Sequence, residues 1–491
     1  MPRGPIRIIL GRTVQDNLKK SAVSGMAWTG AERLATQVLR FFISLVMARL
    51  LAPSDYGVVG MLAIFLAIAG TFQDSGFAAA LIQKKDKTEV DYSTAFFFNL
   101  AVAMAFYGVL FAAAPLIAHF YKVPDLVSIT RVVALGLIIN AFSVIQQTRL
   151  TINLKFGTLA ILSVLSVLVS STIGITLAYR GYGAWALVWQ SVLGGAINTL
   201  ILWCVARWHP LLMFSVESFR KLFGFGSKLL CSSLINTIYG NLYTLVIGRV
   251  FGPAEVGHFN RANGFAALPA DTLTDMVLKV NYPILVRFQD DTLQLITAYR
   301  RLLRTPMFLL VPVLFGMAAV AEPMVCVLTG EKWLPCVPFL QVLCFGLMWN
   351  PLTHINLNLL YVKGRTDLVL KLELIKKPIA FLILFSMIPF GIFWLCVGKA
   401  AYDFIAFCFN CHYTNKVLGY GFWRQIKEII PMVANALAMV LIVTWGIGFF
   451  DSNVAKLTVG VLIGMGSYLL GAVIYREESL RYAWNMIRRR T

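Results

Sequence analysis

Near the amino terminus Thr29, Arg33, Gln37, Arg40 and Ser44 recur at intervals of three and four residues, which places them on one face of a helix. The residues between and after them are largely apolar. An arginine held at the middle of a bilayer costs about 2.5–3.5 kcal/mol on insertion scales. Two guanidinium groups on one stripe therefore call for water or an anion, and the chemistry they offer is reversible anion binding. The competing reading is structural: Glu32 neutralises one of the pair, and Arg33 extends to the interface.

Other polar residues sit in apolar surroundings with the same double reading. Ser233, Thr237, Gly240 and Thr244 form a neutral stripe flanked by Asn236 and Asn241, suited either to hydrogen bonding a polar ligand or to close helix packing. Asp271 and Asp275 are one helical turn apart with Lys279 on the same face. They form either a structural Asp275–Lys279 pair or a site for Na⁺ or a proton. Asp74 next to Gly76 reads as a helix-end or gating residue, and Asn140 and Asn350, near Ser143 and His354, as ligand contacts or interhelical glue.

Enzymatic and metal chemistry finds no footing. Cys408 to His412 spell C-x-x-C-H, a haem-attachment pattern, but they fall at a cytoplasmic helix end, the wrong side for that reaction. There is no phosphate-binding G-x4-G-K-[ST] loop, and the five histidines lack metal-ligand spacing. No catalytic residue and no metal or organic cofactor is expected, only possible coupling to Na⁺ or H⁺.

The elements that hold these residues follow from composition. Of 491 residues 58% are apolar and only 13% charged, with a mean hydropathy of +0.75. A soluble domain carries about 25% charge, and a disordered chain far less apolar surface. The chain is therefore an integral membrane protein. Its net charge of +20 lies in short clusters between apolar runs, which excludes a nucleic-acid-binding face. Fourteen spans of about 20 residues are expected. The eighth, 257–285, and the eleventh, 370–390, are the most polar, and a count of twelve would survive without them. Against the many bases on one face, the other holds only Lys122, Arg180, Lys332 and Lys456, so both termini are expected in the cytoplasm. The loops on the exported side are too short for an ordered catalytic domain.

The chain also repeats itself. Residues 47–57, MARLLAPSDYG, align without gaps on 247–257, IGRVFGPAEVG, superposing Arg49 on Arg249, Pro53 on Pro253, Asp55 on Glu255 and Gly57 on Gly257. Residues 136–143 match 346–353, which pairs Asn140 with Asn350, and Gly183, Trp185 and Leu187 match Gly391, Phe393 and Leu395. A six-helix unit inserts the same way up in both copies, giving a parallel repeat and a transporter plan. The predicted fold is all-α and polytopic. A cytoplasmic segment (1–20) precedes a first six-helix bundle (21–210) and a second (211–416). Two further helices (417–475) and a basic cytoplasmic tail (476–491) complete it.

The runs SGMAWTGAERLATQ, LAPSDYGVVGM, FQDSGFAAALIQKKDKTEVDYSTAFFFN and APLIAHFYKVPDL resemble the polysaccharide exporters of the multidrug/oligosaccharidyl-lipid/polysaccharide superfamily. They are most similar to Wzx-type flippases of the colanic-acid and lipopolysaccharide-exporter kind. The likeness is strongest over residues 19–126. It implies a multi-pass protein of the bacterial inner membrane that moves an undecaprenyl-pyrophosphate-linked oligosaccharide from the cytoplasmic to the periplasmic leaflet by alternating access. Its partners would be the bilayer, that lipid-linked glycan and possible glycan polymerase machinery. Under this reading Arg33 and Arg40 meet the pyrophosphate. Gln37, Asn140, Asn236, Thr237, Asn241 and Asn350 meet sugar hydroxyls, and Asp74, Asp271 and Asp275 are ion-coupling candidates. A drug or organic-cation antiporter would instead want carboxylates and aromatics in its cavity. Two more readings compete with the flippase: a lipid II flippase and, more distantly, a membrane polymerase or ligase.

Overall fold

The computed structural model describes residues 35–74, 76–84, 86–475 and 480. Thr29, Glu32 and Arg33, the segment 1–20 and all of 476–491 except residue 480 lie outside the described residues, as does the side chain of Lys279. Every regular element among them is helical. The chain forms two compact units, one ending at Gly257 and the other beginning at His258. The first contains α1 (Ala35–Leu50), α2 (Pro53–Met61), α3 (Ala63–Asp74), α4 (Phe77–Gln83), α5 (Glu89–Tyr121), α6 (Leu126–Val133), α7 (Leu135–Ile152), α8 (Phe156–Tyr179), α9 (Ala184–Ala206) and α10 (Val216–Val250). Next come α11 (Pro253–Arg287), α12 (Thr292–Ala319), α13 (Ala321–Leu328), α14 (Val337–Leu347), α15 (Asn350–Val362), α16 (Thr366–Met387), α17 (Ile392–Leu418), α18 (Phe422–Ile447) and α19 (Asn453–Ile474).

Among the described residues ten helical stretches are long and apolar enough to cross a membrane, and α1 with α2, across a 119° bend, would make an eleventh. Three long helices, α10, α11 and α16, fall outside that group. The interiors of two of them explain it: α11 carries Asp271, Asp275 and Lys279, and α16 carries Glu373, Lys376 and Lys377. Such residues persist in a span only when buried in protein or facing a polar cavity.

The matched segments of the repeat have physical reasons to match. Gly183 (φ +54°) and Gly391 (φ +95°) open α9 and α17 in backbone conformations that a side chain would strain. Pro53 and Pro253 each begin a helix, where the missing N–H costs nothing, and the Ala52 N–H donates to Asp55 Oδ2 at 2.9 Å. Four residues on, Gly57 and Gly257 are both buried. A Cβ on Gly57 would overlap the carbonyl of Pro253, and one on Gly257 the carbonyl of Pro53. The two copies thus cross reciprocally, backbone against backbone, within the first unit.

The polar residues of the KKDKTEVDYSTAFFFN run form a clasp. Thr88 and Asp91 cap α5 reciprocally, and Lys84 pairs with Asp91 at 2.6 Å. Glu89 accepts from Arg149 at 2.7 Å and from the Trp208 indole N–H at 2.6 Å. The Ser93 and Thr94 hydroxyls accept from the Leu211 and Ser215 N–H groups. Arg149 lies 4.8 Å over the Tyr92 ring. These bonds fasten the 207–215 connection, and the aromatic cluster of Phe77, Phe96, Phe98, Trp208 and Phe219 packs beneath it. In the second unit the buried Asn356 amide plays the comparable part. Its oxygen accepts from Tyr299, Thr414 and Gln425, tying α12, α15, α17 and α18 together.

Candidate functional site

A cavity of about 590 Å³ lies inside the first unit between α1, α8 and α9, a size usual for small-molecule sites. Its α1 wall contributes Arg40 and Ser44, its α8 wall Ser163, Ser166, Ser170 and Ser171, and its α9 wall Gln190, Ser191 and Asn198, with Gln147 reaching in from α7. Leucines 159, 162, 187 and 202 interleave with them. The lining runs from Leu159 to Ser171 along α8, about 18 Å at the helical rise. Small residues let α8 and α9 approach closely beside it. A Cβ on Gly194 would lie 3.0 Å from Ser170 Cβ, and one on Gly174 would lie 2.9 Å from the Gln190 side chain.

Arg40 is exposed within its unit. It lies ten residues before the end of α1, about 15 Å along the helix. Among the described residues no carboxylate comes within ion-pair distance of it. The serine wall is partly engaged. Ser166 Oγ donates to Leu162 O at 2.8 Å and lies 3.5 Å from Asn198 Oδ1. Ser170 Oγ donates to Val167 O, and Gln190 Nε2 donates to Ser171 Oγ at 3.3 Å.

The remaining residues singled out from sequence fall elsewhere. Gln37 is exposed on α1 but outside the cavity lining. Asn140 accepts from Ser143 on its own helix at 3.1 Å. Thr237 Oγ1 lies 2.9 Å from Thr71 Oγ1 across the α3–α10 contact. Asn241 donates to the Thr237 carbonyl, and Asn236 is exposed. Asp74 ends α3, next to Gly76 (φ +72°), which opens α4. In the second unit the structure does bring two of them together, with Asn350 Nδ2 donating to Asp271 Oδ1 at 3.4 Å. Asp275 and Lys399 lie within electrostatic reach of Asp271, and Lys399 pairs with Asp403 at 3.5 Å. His354 is within reach of Lys376, Glu373 and Asp275, and Lys376, itself buried, pairs with Glu373 at 2.7 Å.

Residues 46–338 match the family described as polysaccharide biosynthesis protein. The chain belongs to that family. The family match contains Ser44's neighbours on α1 from Val46 onward and all of α8 and α9, so two of the three cavity walls are family territory. Two family relatives are the lipopolysaccharide biosynthesis protein WzxC of Escherichia coli (strain K12) and the succinoglycan biosynthesis transport protein ExoT of Rhizobium meliloti (strain 1021). WzxC is 28% identical over 73% of this chain and 74% of its own length. ExoT is 25% identical over 96% of this chain and 95% of its own. The lipid II flippase MurJ in its inward closed conformation superposes with a TM-score of 0.74 at 14% identity, covering 91% of this chain and 99% of MurJ. This family member therefore has the all-α, polytopic MurJ fold.

The polar residues of α8 and α9 do not stand out as a site in the sequence. Ser163, Ser166 and Ser170 do keep the three- and four-residue spacing of one helical face, and that spacing, opposite Asn198 and Gln190, is the signal the sequence holds.

Proposed function

We propose that this protein is a flippase that carries an undecaprenyl-pyrophosphate-linked oligosaccharide repeat unit from the cytoplasmic to the periplasmic leaflet of the bacterial inner membrane, for surface polysaccharide assembly. The observation that carries this reading is Arg40, a cation without a carboxylate partner among the described residues, in a cavity otherwise lined by hydroxyls, amides and aliphatics. A cation set in an apolar helix calls for water or an anion, and a pyrophosphate supplies the anion. Sugar hydroxyls suit the serine and amide walls. The family's description and the roles named for WzxC and ExoT support a polysaccharide cargo. Lipid II is less favoured, because MurJ contributes likeness of fold alone. A cation antiporter is disfavoured by a cavity lining that includes no carboxylate among the described residues.

The asymmetry of Lys and Arg between the two faces orients the protein with both termini in the cytoplasm, and the exported unit then passes to the glycan polymerase machinery. Deleting the gene should cause the lipid-linked repeat unit to accumulate in extracted membranes, as read by mass spectrometry, and the wild-type gene should clear it. Membranes without that accumulation would overturn the reading.

Coupling to Na⁺ or H⁺ belongs to Asp271, whose carboxylate has Asn350 and Asp275 beside it and can take a cation in exchange for cargo. Asp271→Asn should remove the dependence of vesicle-based flipping on the imposed Na⁺ or proton gradient. Unchanged gradient dependence would return this acid to a structural role.

A further inference from the structure

The connection between α9 and α10 shows a strongly apolar face to its surroundings. Leu211, Leu212, Met213, Phe214 and Val216 are all exposed, Leu212 at 93%, whereas Trp208 just before them is buried in the clasp. So dense a run of large exposed apolar side chains marks an interaction surface. Its backbone is already prepared for an apolar setting. The Leu211 and Ser215 N–H groups donate to the Ser93 and Thr94 hydroxyls, the Met213 N–H donates to the Leu211 carbonyl at 2.7 Å, and Pro210 has no N–H to satisfy. Backbone groups bonded within the protein lower the main cost of entering lipid.

The surroundings say what covers this face. α9, which leads into it, is long and apolar enough to cross a membrane and exposes Leu200 and Val205. α10, which leads out of it, exposes Phe223. The apolar run thus stands at the end of a lipid-facing surface. Charge narrows the kind of lipid. From Arg207 to Lys221 the chain holds three bases and one acid, Glu217. Glu217 pairs with Lys221 at 2.6 Å, while Arg207 and Arg220 are exposed and make no ion pair among the described residues. Apolar side chains flanked by unpaired guanidinium groups match acyl chains topped by anionic phosphates. A zwitterionic lipid offers the chains without the net charge.

We propose that residues 207–221 are an interfacial anchor: Leu211 to Phe214 and Val216 enter the cytoplasmic leaflet, and Arg207 and Arg220 hold the phosphates of acidic phospholipids. Only the choice of leaflet rests on the orientation given above. The connection between the two copies of the repeat is then gripped by the clasp on one side and by lipid on the other, which fixes the depth at which α10 begins.

The test uses the full chain in lipid nanodiscs, which open both faces to solution and carry the same lipids in both leaflets. The environment-sensitive fluorescent amino acid Anap is placed at position 212 or, as a control, at position 290 in the polar α11–α12 connection, where Asp290 is exposed. Lipids brominated along the acyl chain should quench position 212 and aqueous iodide should spare it, with the reverse at position 290. In an equimolar mixture, brominated phosphatidylglycerol should quench position 212 more than brominated phosphatidylcholine, reflecting local enrichment of about fivefold, the worth of one base at a charged surface. Arg207→Gln combined with Arg220→Gln should bring the two lipids level while position 212 stays shielded from iodide. Iodide quenching at 212 equal to that at 290 would overturn the anchor. Shielding from both quenchers would reveal a cover of protein and overturn it as well. Equal quenching by the two brominated lipids in the wild type, or a preference that survives the double change, would overturn the role of the two arginines with acidic lipid. The flippase reading is decided separately, by the accumulation of the lipid-linked repeat unit.

Discussion

Arg40→Gln should abolish export of the glycan while leaving the folded protein at least as stable as wild type. The two halves of that expectation have one cause. An exposed guanidinium with no described carboxylate within ion-pair distance contributes little to the resting fold, because it makes no ion pair there for the fold to lose. Replacing it with a neutral amide leaves no stranded acid among the described residues. When a pyrophosphate occupies the cavity, the same guanidinium forms charge-assisted bonds worth about 1.5–3 kcal/mol each, so its loss should weaken binding by about 10- to 100-fold. Arg40→Lys should fall between, since it keeps the charge but not the planar two-pronged geometry. Thermal unfolding in detergent and complementation of a deletion strain are the paired measurements. A variant that melts well below wild type would show that Arg40 holds the fold, and retained export would remove it from the cargo path.

How far the sequence can be read differs between helices for physical reasons. On α1 the stripe is legible because charged residues in an apolar helix are rare enough for their period to stand out, and Arg40 and Ser44 do line a cavity. Its partner walls on α8 and α9 are not, because a serine in a membrane helix commonly returns its hydroxyl to its own backbone, as Ser166 and Ser170 do. Only the approach of a neighbouring helix turns such residues into a surface. Thr237 shows the same limit: its stripe is visible in the sequence, but not that Thr71 of α3 lies opposite. The pairing of Lys399 with Asp403, and of Glu373 with Lys376, follows the i, i+4 and i, i+3 spacing. What spacing cannot supply is that Asp271 and Asn350, on α11 and α15, converge on one another. The KKDKTEVDYSTAFFFN run carries family likeness without a role, and its clasp on the 207–215 connection emerges only from the fold.

Gly57→Ala and Gly257→Ala should each lower the melting temperature, although alanine is the better helix former by about 1 kcal/mol. At both positions the added methyl would meet the carbonyl of a proline that starts the other helix, Pro253 or Pro53. A side chain in the way can rotate, but a backbone carbonyl inside a turn of helix cannot move without moving the helix, so overpacking at the upper end of ~1–3 kcal/mol or beyond is expected. Gly108, in α5 with nothing within 4 Å of its would-be Cβ, is the matched control, where alanine should be neutral or stabilising. The double variant should cost less than the sum of the single ones, because both methyls act on one crossing and the first already forces the helices apart. Thermal unfolding of the four proteins in detergent decides it. If Gly57→Ala melts with the Gly108→Ala control, the reciprocal crossing is not close-packed, and the recurrence of Pro-x-x-x-Gly in the two copies loses its steric reason. If it melts below, the duplicated segment is explained without any substrate contact. The recurrence of Arg49 and Arg249 beside it then needs no cargo contact either, which leaves Arg40, in the cavity lining, as the cation to test.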